Sequence, residues 1–180
     1  MKKTSSEHKQ IILDKIKEAG DAENYVTDWE KGYPISKLKK NVKKGSSSKA
    51  RGNRFELKVR HDLESKGRFV DKWNNNIDLE ENKLIIAKRK YNPFSKVMTL
   101  GTGFPDFITI KPVGESLYQV IGVEVKINGI LSKIEKEKCK WYLDKKIFSE
   151  IWIAKENKVG RKSEVVYEDF KERYIKNKLN

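Results

Sequence analysis

The sequence predicts a mixed α/β sandwich, helices packed around a small β-sheet, preceded by a small helical and basic N-terminal extension. Three observations carry that expectation. Runs that alternate or are wholly apolar are interleaved with segments of helical periodicity from residue 53 onward. The longest apolar run, Tyr118 to Ile127, is nearly continuous, as a central strand covered on both faces requires. Positive charge is concentrated just ahead of this region.

Taken in order, residues 6–19 set Ile11, Ile12, Leu13 and Ile16 among charges and read as a short helix. A second short helix is expected from Ser36 to Lys44. Lys39 to Gly52 is basic, then small and polar, and reads as a linker or mobile arm. The expected division is therefore residues 1–50 as extension and linker and 51–180 as the main domain. Between residues 37 and 60 there are ten Lys or Arg against one acid, Glu56, a net +9 out of the +14 of the whole chain. Residues 53–66 then form a helix, with Phe55, Val59 and Leu63 at fourth-residue spacing and Gly67 as its stop. Phe69 to Trp73 and Lys83 to Ala87 read as strands, separated by a polar turn containing Asn74, Asn75 and Asn76. Lys88, Arg89 and Lys90 make a basic turn, Phe107 to Ile110 a short strand, and Lys111 to Gly114 a hairpin leading into Tyr118 to Ile127. Ser132 and Glu135 form a capping box that opens a helix in which Ile134, Lys138, Trp141 and Tyr142 share one side. Glu150 to Ala154 and Val165 to Tyr167 are strands, followed by a charged tail helix.

Composition narrows the function classes. A net charge of +14 favours a polyanionic partner such as nucleic acid. No apolar run approaches membrane-spanning length and no hydrophobic signal core follows the basic N-terminus, so a soluble, cytoplasmic protein is expected. One cysteine, Cys139, and two histidines, His8 and His61, exclude an internal disulfide and argue against a zinc site of nitrogen and sulfur ligands. Any catalytic metal must be held by oxygen.

The residues with chemistry to offer cluster late in the chain. In the strand Tyr118 to Ile127, side chains alternate, so Glu124 and Lys126 share a face with Val120 and Gly122. Two opposite charges on a buried strand either neutralise each other as an internal pair or line a polar cleft. Pro105-Asp106 follows a glycine-rich stretch and places an aspartate where a strand begins; Asp106 is otherwise a turn residue. An aspartate beside a buried glutamate is unfavourable unless a divalent cation lies between them, and carboxylate oxygens suit Mg2+ or Mn2+.

Pro105-Asp106 followed by Glu124-Val125-Lys126 resembles the pattern of the PD-(D/E)xK nuclease superfamily. The stretch Arg51-Gly52-Asn53-Arg54-Phe55-Glu56 is similar to the motif that opens archaeal Holliday-junction resolvases. The resemblance covers roughly residues 50–155. It implies a restriction-endonuclease-like mixed β-sheet flanked by helices, with Asp106, Glu124, Glu56 and the Val125 carbonyl as metal ligands and Lys126 acting beside them. It implies, further, a metal-dependent endonuclease hydrolysing DNA, structure-selective and homodimeric; a restriction-type, site-specific enzyme is the near alternative. From a different class, a non-catalytic nucleic-acid-binding protein on the same scaffold would also use the basic residues. Lys43, Lys44, Lys49, Arg51, Arg54, Lys88, Arg89 and Lys90 are the candidates for phosphate contact, on branched or duplex DNA, with solvation of a charged surface as their ordinary alternative. Residues 1–50 and the segment from Asn74 to Gly103 depart from the resolvase pattern.

Overall fold

The computed structural model describes residues 5–30, 33–87, 90–92, 97–99, 103–160 and 162–175. By the density of its contacts the chain divides into two units, Met1–Arg51 and Gly52–Asn180.

In the first unit, α1 (Ser5–Gly20) is followed by β1 (Tyr25–Glu30) and β2 (Tyr33–Leu38), an antiparallel hairpin in register from Tyr25 opposite Leu38 to Asp28 opposite Ile35 and beyond. The Thr27 and Ser36 hydroxyls, directly opposite each other, are 3.0 Å apart. The backbone N–H of Lys39 donates to the Asn24 carbonyl at 2.8 Å and closes the hairpin end. No described side chain in this unit is fully buried, and Ile12, Leu13, Ile16, Val26, Leu38 and Val42 are exposed.

Two expectations fail here. Ser36 lies in a strand, and α2 runs from Lys39 to Ser65 without the expected linker. Gly45 and Ser46 to Ser48 are weak helix formers, each unfavourable by about 0.5–1 kcal/mol relative to alanine, but they only weaken a helix. A hard stop needs proline, and none occurs between Pro34 and Pro93.

The second unit holds a five-stranded sheet in the order β11-β10-β9-β8-β3. Its strands are β3 (Phe69–Lys72), β8 (Phe107–Gly114), β9 (Leu117–Val125), β10 (Glu150–Val159) and β11 (Lys162–Asp169). Only β9 and β10 run parallel, joined by α3 (Lys133–Asp144); the other neighbours are antiparallel, so the sheet is mixed. The apolar run read as a central strand is the middle strand, β9. On one face, Phe55, Val59 and Leu63 of α2 pack on Phe107, Ile121, Val123 and Ala154. On the other, Cys139, Tyr142 and Leu143 of α3 pack with Phe148, Ile151, Ile153 and Phe170, the first residue of α4 (Phe170–Tyr174).

The end of α2 follows its sequence signal. Gly67 has φ of 72°, a conformation costly for any other residue, and its N–H bonds back to the Glu64 carbonyl while that of Arg68 reaches Leu63. The α3 capping box is also present: the Ser132 hydroxyl accepts from the Glu135 N–H and the Glu135 carboxylate accepts from the Ser132 N–H. Of the residues expected to share one side of α3, Tyr142 is buried, Lys138 and Trp141 are half-buried and Ile134 is exposed, while Cys139 is wholly buried. Tyr142 sits in the core, where its hydroxyl accepts from the Trp73 indole at 3.0 Å; Trp73 packs against that core as well.

Between β3 and β8 lie β4 (Asn75–Asp78) paired with β5 (Lys83–Ile86), and β6 (Lys90–Asn92) paired with β7 (Val97–Thr99). The asparagine segment expected to turn is therefore a strand, with Ile77 buried and anchoring it. Lys88 and Arg89 of the expected basic turn lie outside the described residues, as does the side chain of Lys90, whose backbone is in β6. The hairpin into β9 turns later than expected, with Gly114 paired to Leu117.

Candidate metal centre

The site begins with the register of β8 and β9. Phe107 pairs with Val123 and Ile108 with Gly122, so the residue before β8, Asp106, falls beside Glu124. Gly122 makes this approach possible. A Cβ built there would lie 2.8 Å from Pro105 Cγ and 3.0 Å from Phe148 Cδ2, so only glycine leaves room for Pro105 to seat against the sheet. Gly103 has a separate role: its Cβ would lie 1.9 Å from the Trp73 carbonyl oxygen, so the chain entering the site runs against the backbone after β3.

Asp106 Oδ2 accepts from the Val125 N–H at 2.9 Å, tying the start of β8 to the end of β9. Glu124 is 3% exposed; its Oε1 pairs with Lys126 Nζ at 2.8 Å, while its Oε2 is buried with no hydrogen-bond partner. Glu124 and Lys126 thus share one face, as strand alternation required. Lys126 is held from a second side by Glu135 Oε1 at 2.7 Å. Glu135 therefore spans the α3 cap and the lysine, one oxygen on each.

Both central acids are pushed up by burial. Asp106 is raised to about 6, by desolvation first and then by the Glu56 charge, against the opposing Val125 N–H and the nearby Lys126 and Lys72. Glu124 is raised to about 8, by desolvation first and then by Asp106, against the opposing Lys126. Desolvation alone would lower Lys126, but Glu124 and Glu135 together outweigh it and hold the ammonium well above the ordinary lysine range. Lys126 is thereby a donor to both carboxylates.

Glu56 projects from α2 near enough to act on Asp106 electrostatically, and its Oε2 is bonded to Lys72 Nζ at 2.7 Å. Among the described residues, no three His, Cys, Asp or Glu side chains gather into a chelating group. The site is a pair of carboxylates, Asp106 and Glu124, with Glu56 held aside by its own lysine. That pair fits a hard divalent cation: its donors are oxygens, its charges are alike, and a buried carboxylate oxygen lacks the partner that burial demands.

Two participants escaped the sequence reading. Lys72 reaches the site because β3 pairs antiparallel with β8, setting Lys72 opposite Phe107, the residue after Asp106. Only that register reveals it. Glu135 was legible as a cap, while its second contact depends on where α3 sits over β9.

Lys43, Lys44, Lys49 and Arg51 are exposed on α2 in the first unit, and Arg54 is exposed on α2 in the second. Among the described residues, no helix is long and apolar enough to cross a membrane. No protein-family model, curated protein or solved structure matches the chain.

Proposed function

We propose that this protein is a Mg2+- or Mn2+-dependent endonuclease that hydrolyses DNA phosphodiester bonds, on a restriction-endonuclease-like fold and as a homodimer. The observation that supports this reading best is Glu124, a buried carboxylate with one oxygen on Lys126 and the other without a partner, beside Asp106. A buried carboxylate beside a half-buried one destabilises a fold that uses neither, and the pair suits one that binds a divalent cation.

Asp106 and Glu124 would hold the ion, with the Val125 carbonyl as the further ligand that the family resemblance implies. When bound there, a divalent cation would supply Lewis-acid chemistry, polarising the phosphate and lowering the pKa of a water. Lys126, held by Glu124 and Glu135, is placed to donate a hydrogen bond to the attacking water or to the phosphoryl oxygens on which negative charge develops. Glu56 stands beside Asp106 with its carboxylate paired to Lys72 and is not counted among the ligands. The exposed lysines and arginines of α2 bind phosphates along the substrate. Preference for branched DNA follows the resemblance to resolvases.

The test is a cleavage panel of four-way junction, flap, linear duplex and single strand with Mg2+ or Mn2+, run beside Lys126→Ala. Wild-type cleavage of the junction is expected, with a loss of about 10²–10³-fold in the variant, the usual effect of deleting one stabilising donor, and binding retained. Discrete fragments from plasmid DNA would point instead to a site-specific enzyme. Salt-dependent binding with no cleavage of any substrate would leave a non-catalytic binding protein.

A further inference from the structure

Glu56 carries the sequence signature of a metal ligand, yet its carboxylate is engaged by Lys72. Lys72 is half exposed and is positioned by its strand and by the ring beneath it. Its backbone is part of β3, paired with Phe107, and its ammonium lies 5.1 Å from the centre of the Phe107 ring. Its charge lies beside Glu56 and is felt by Asp106 next door.

Charge counting leads the same way. Glu56, Asp106, Glu124 and Glu135 carry four negative charges when ionised, and Lys72 and Lys126 carry two positive ones, which leaves −2. One divalent cation neutralises that remainder. A second would bring excess positive charge to a place where an ammonium is already fixed.

We propose that Lys72 is a built-in counter-ion for Glu56, filling the place at that carboxylate which a second cation would take, and so holding the centre to a single divalent ion. Lys72 is a positioning residue in this account: it keeps Glu56 turned to an ammonium, and it leaves Asp106 and Glu124 as the carboxylates that take the ion. The inference rests on the metal reading of Asp106 and Glu124 given above.

Mn2+ binding to the full chain without DNA, counted by titration calorimetry and by the electron paramagnetic resonance of free Mn2+, tests it. Wild type is expected to bind one ion. Lys72→Met, which keeps an apolar stem over Phe107, is expected to gain a second, weaker ion that disappears again when Glu56→Gln is added. Lys72→Arg should retain the single ion, and Lys72→Gln serves if the methionine variant does not fold by circular dichroism. Two ions in wild type, or a single ion in both folded neutral variants, would overturn the inference and leave Asp106 and Glu124 as ligands. Failure of wild type to bind any Mn2+ would overturn the inference and the metal reading together.

Discussion

Replacing Glu124 by glutamine separates what the buried carboxylate does for the fold from what it does for chemistry. Glutamine keeps the shape and a carbonyl oxygen for Lys126, whose charge remains paired with Glu135. In the metal-free protein the Glu124 carboxyl is raised from 4.5 to about 8, chiefly by desolvation. A group raised in the folded state contributes stability that is complete below its unfolded value and is lost as pH climbs towards the folded value. For Glu124 the loss starts near pH 4.5, where the unfolded chain begins to release the proton that the folded chain keeps. At ~1.4 kcal/mol per unit, the deficit is on the order of 3 kcal/mol at pH 7 and levels off at ~4–5 kcal/mol above pH 8. Glutamine has no such deficit. The variant should therefore match wild type near pH 4 and exceed it by on the order of 5–10 °C in melting temperature at pH 7–8. Excess Mn2+ should reverse the order at pH 8 by stabilising wild type alone. Thermal melts of both proteins from pH 4 to 9, with and without metal, decide the matter. A variant that is less stable at every pH, or a difference that does not change with pH, would refute the reasoning.

Other perturbations probe other links. Gly122→Ala drives a Cβ into Pro105 and Phe148; overpacking of about 1–3 kcal/mol is expected, seen in urea unfolding, together with weaker Mn2+ binding as Asp106 is displaced. Ser132→Ala removes the hydroxyl that caps α3 and should destabilise by ~1 kcal/mol, with a smaller fall in cleavage than Lys126→Ala causes, because Glu135 still reaches the lysine. Changing Lys43, Lys44 and Lys49 together to alanine removes three exposed charges from α2. It should weaken DNA binding about equally for all sequences and reduce the slope of log affinity against log salt by roughly 2–3, measured by fluorescence anisotropy across a salt series.

The elements legible in the sequence are those whose signals are local. The Phe55, Val59 and Leu63 spacing, the Gly67 stop, the Ser132 capping box and the nearly continuous apolar run of β9 each depend on residues within a turn or two of one another, and each appears in the structure. The errors arise where local propensity is a weak constraint. Glycine and serine in α2 weakened the expectation of helix without a proline to enforce a break, and the asparagine segment became β4 because Ile77 is buried against distant core residues. On α3, the side shared by Ile134, Lys138, Trp141 and Tyr142 does not by itself say which residues are covered, and the sheet beneath selects Cys139, Tyr142 and Leu143.

The site divides along the same line, and the division explains why Glu56 was the hardest of its residues to read. Glu124 and Lys126 are two apart on one strand, so alternation alone puts them together. Asp106 needs a single further fact, the register of one hairpin, and Gly122 opposite Ile108 is the sequence trace of that register, because the strand must be bare where Pro105 rests on it. Glu56 and Lys72 meet only after α2 has packed on the sheet and β3 has paired with β8, two long-range events with no spacing rule between them. The charge on a helix-borne glutamate is visible in any sequence; its partner is a property of the assembled fold. At Glu56 that partner is Lys72, a residue that its own neighbours in the chain give no reason to single out.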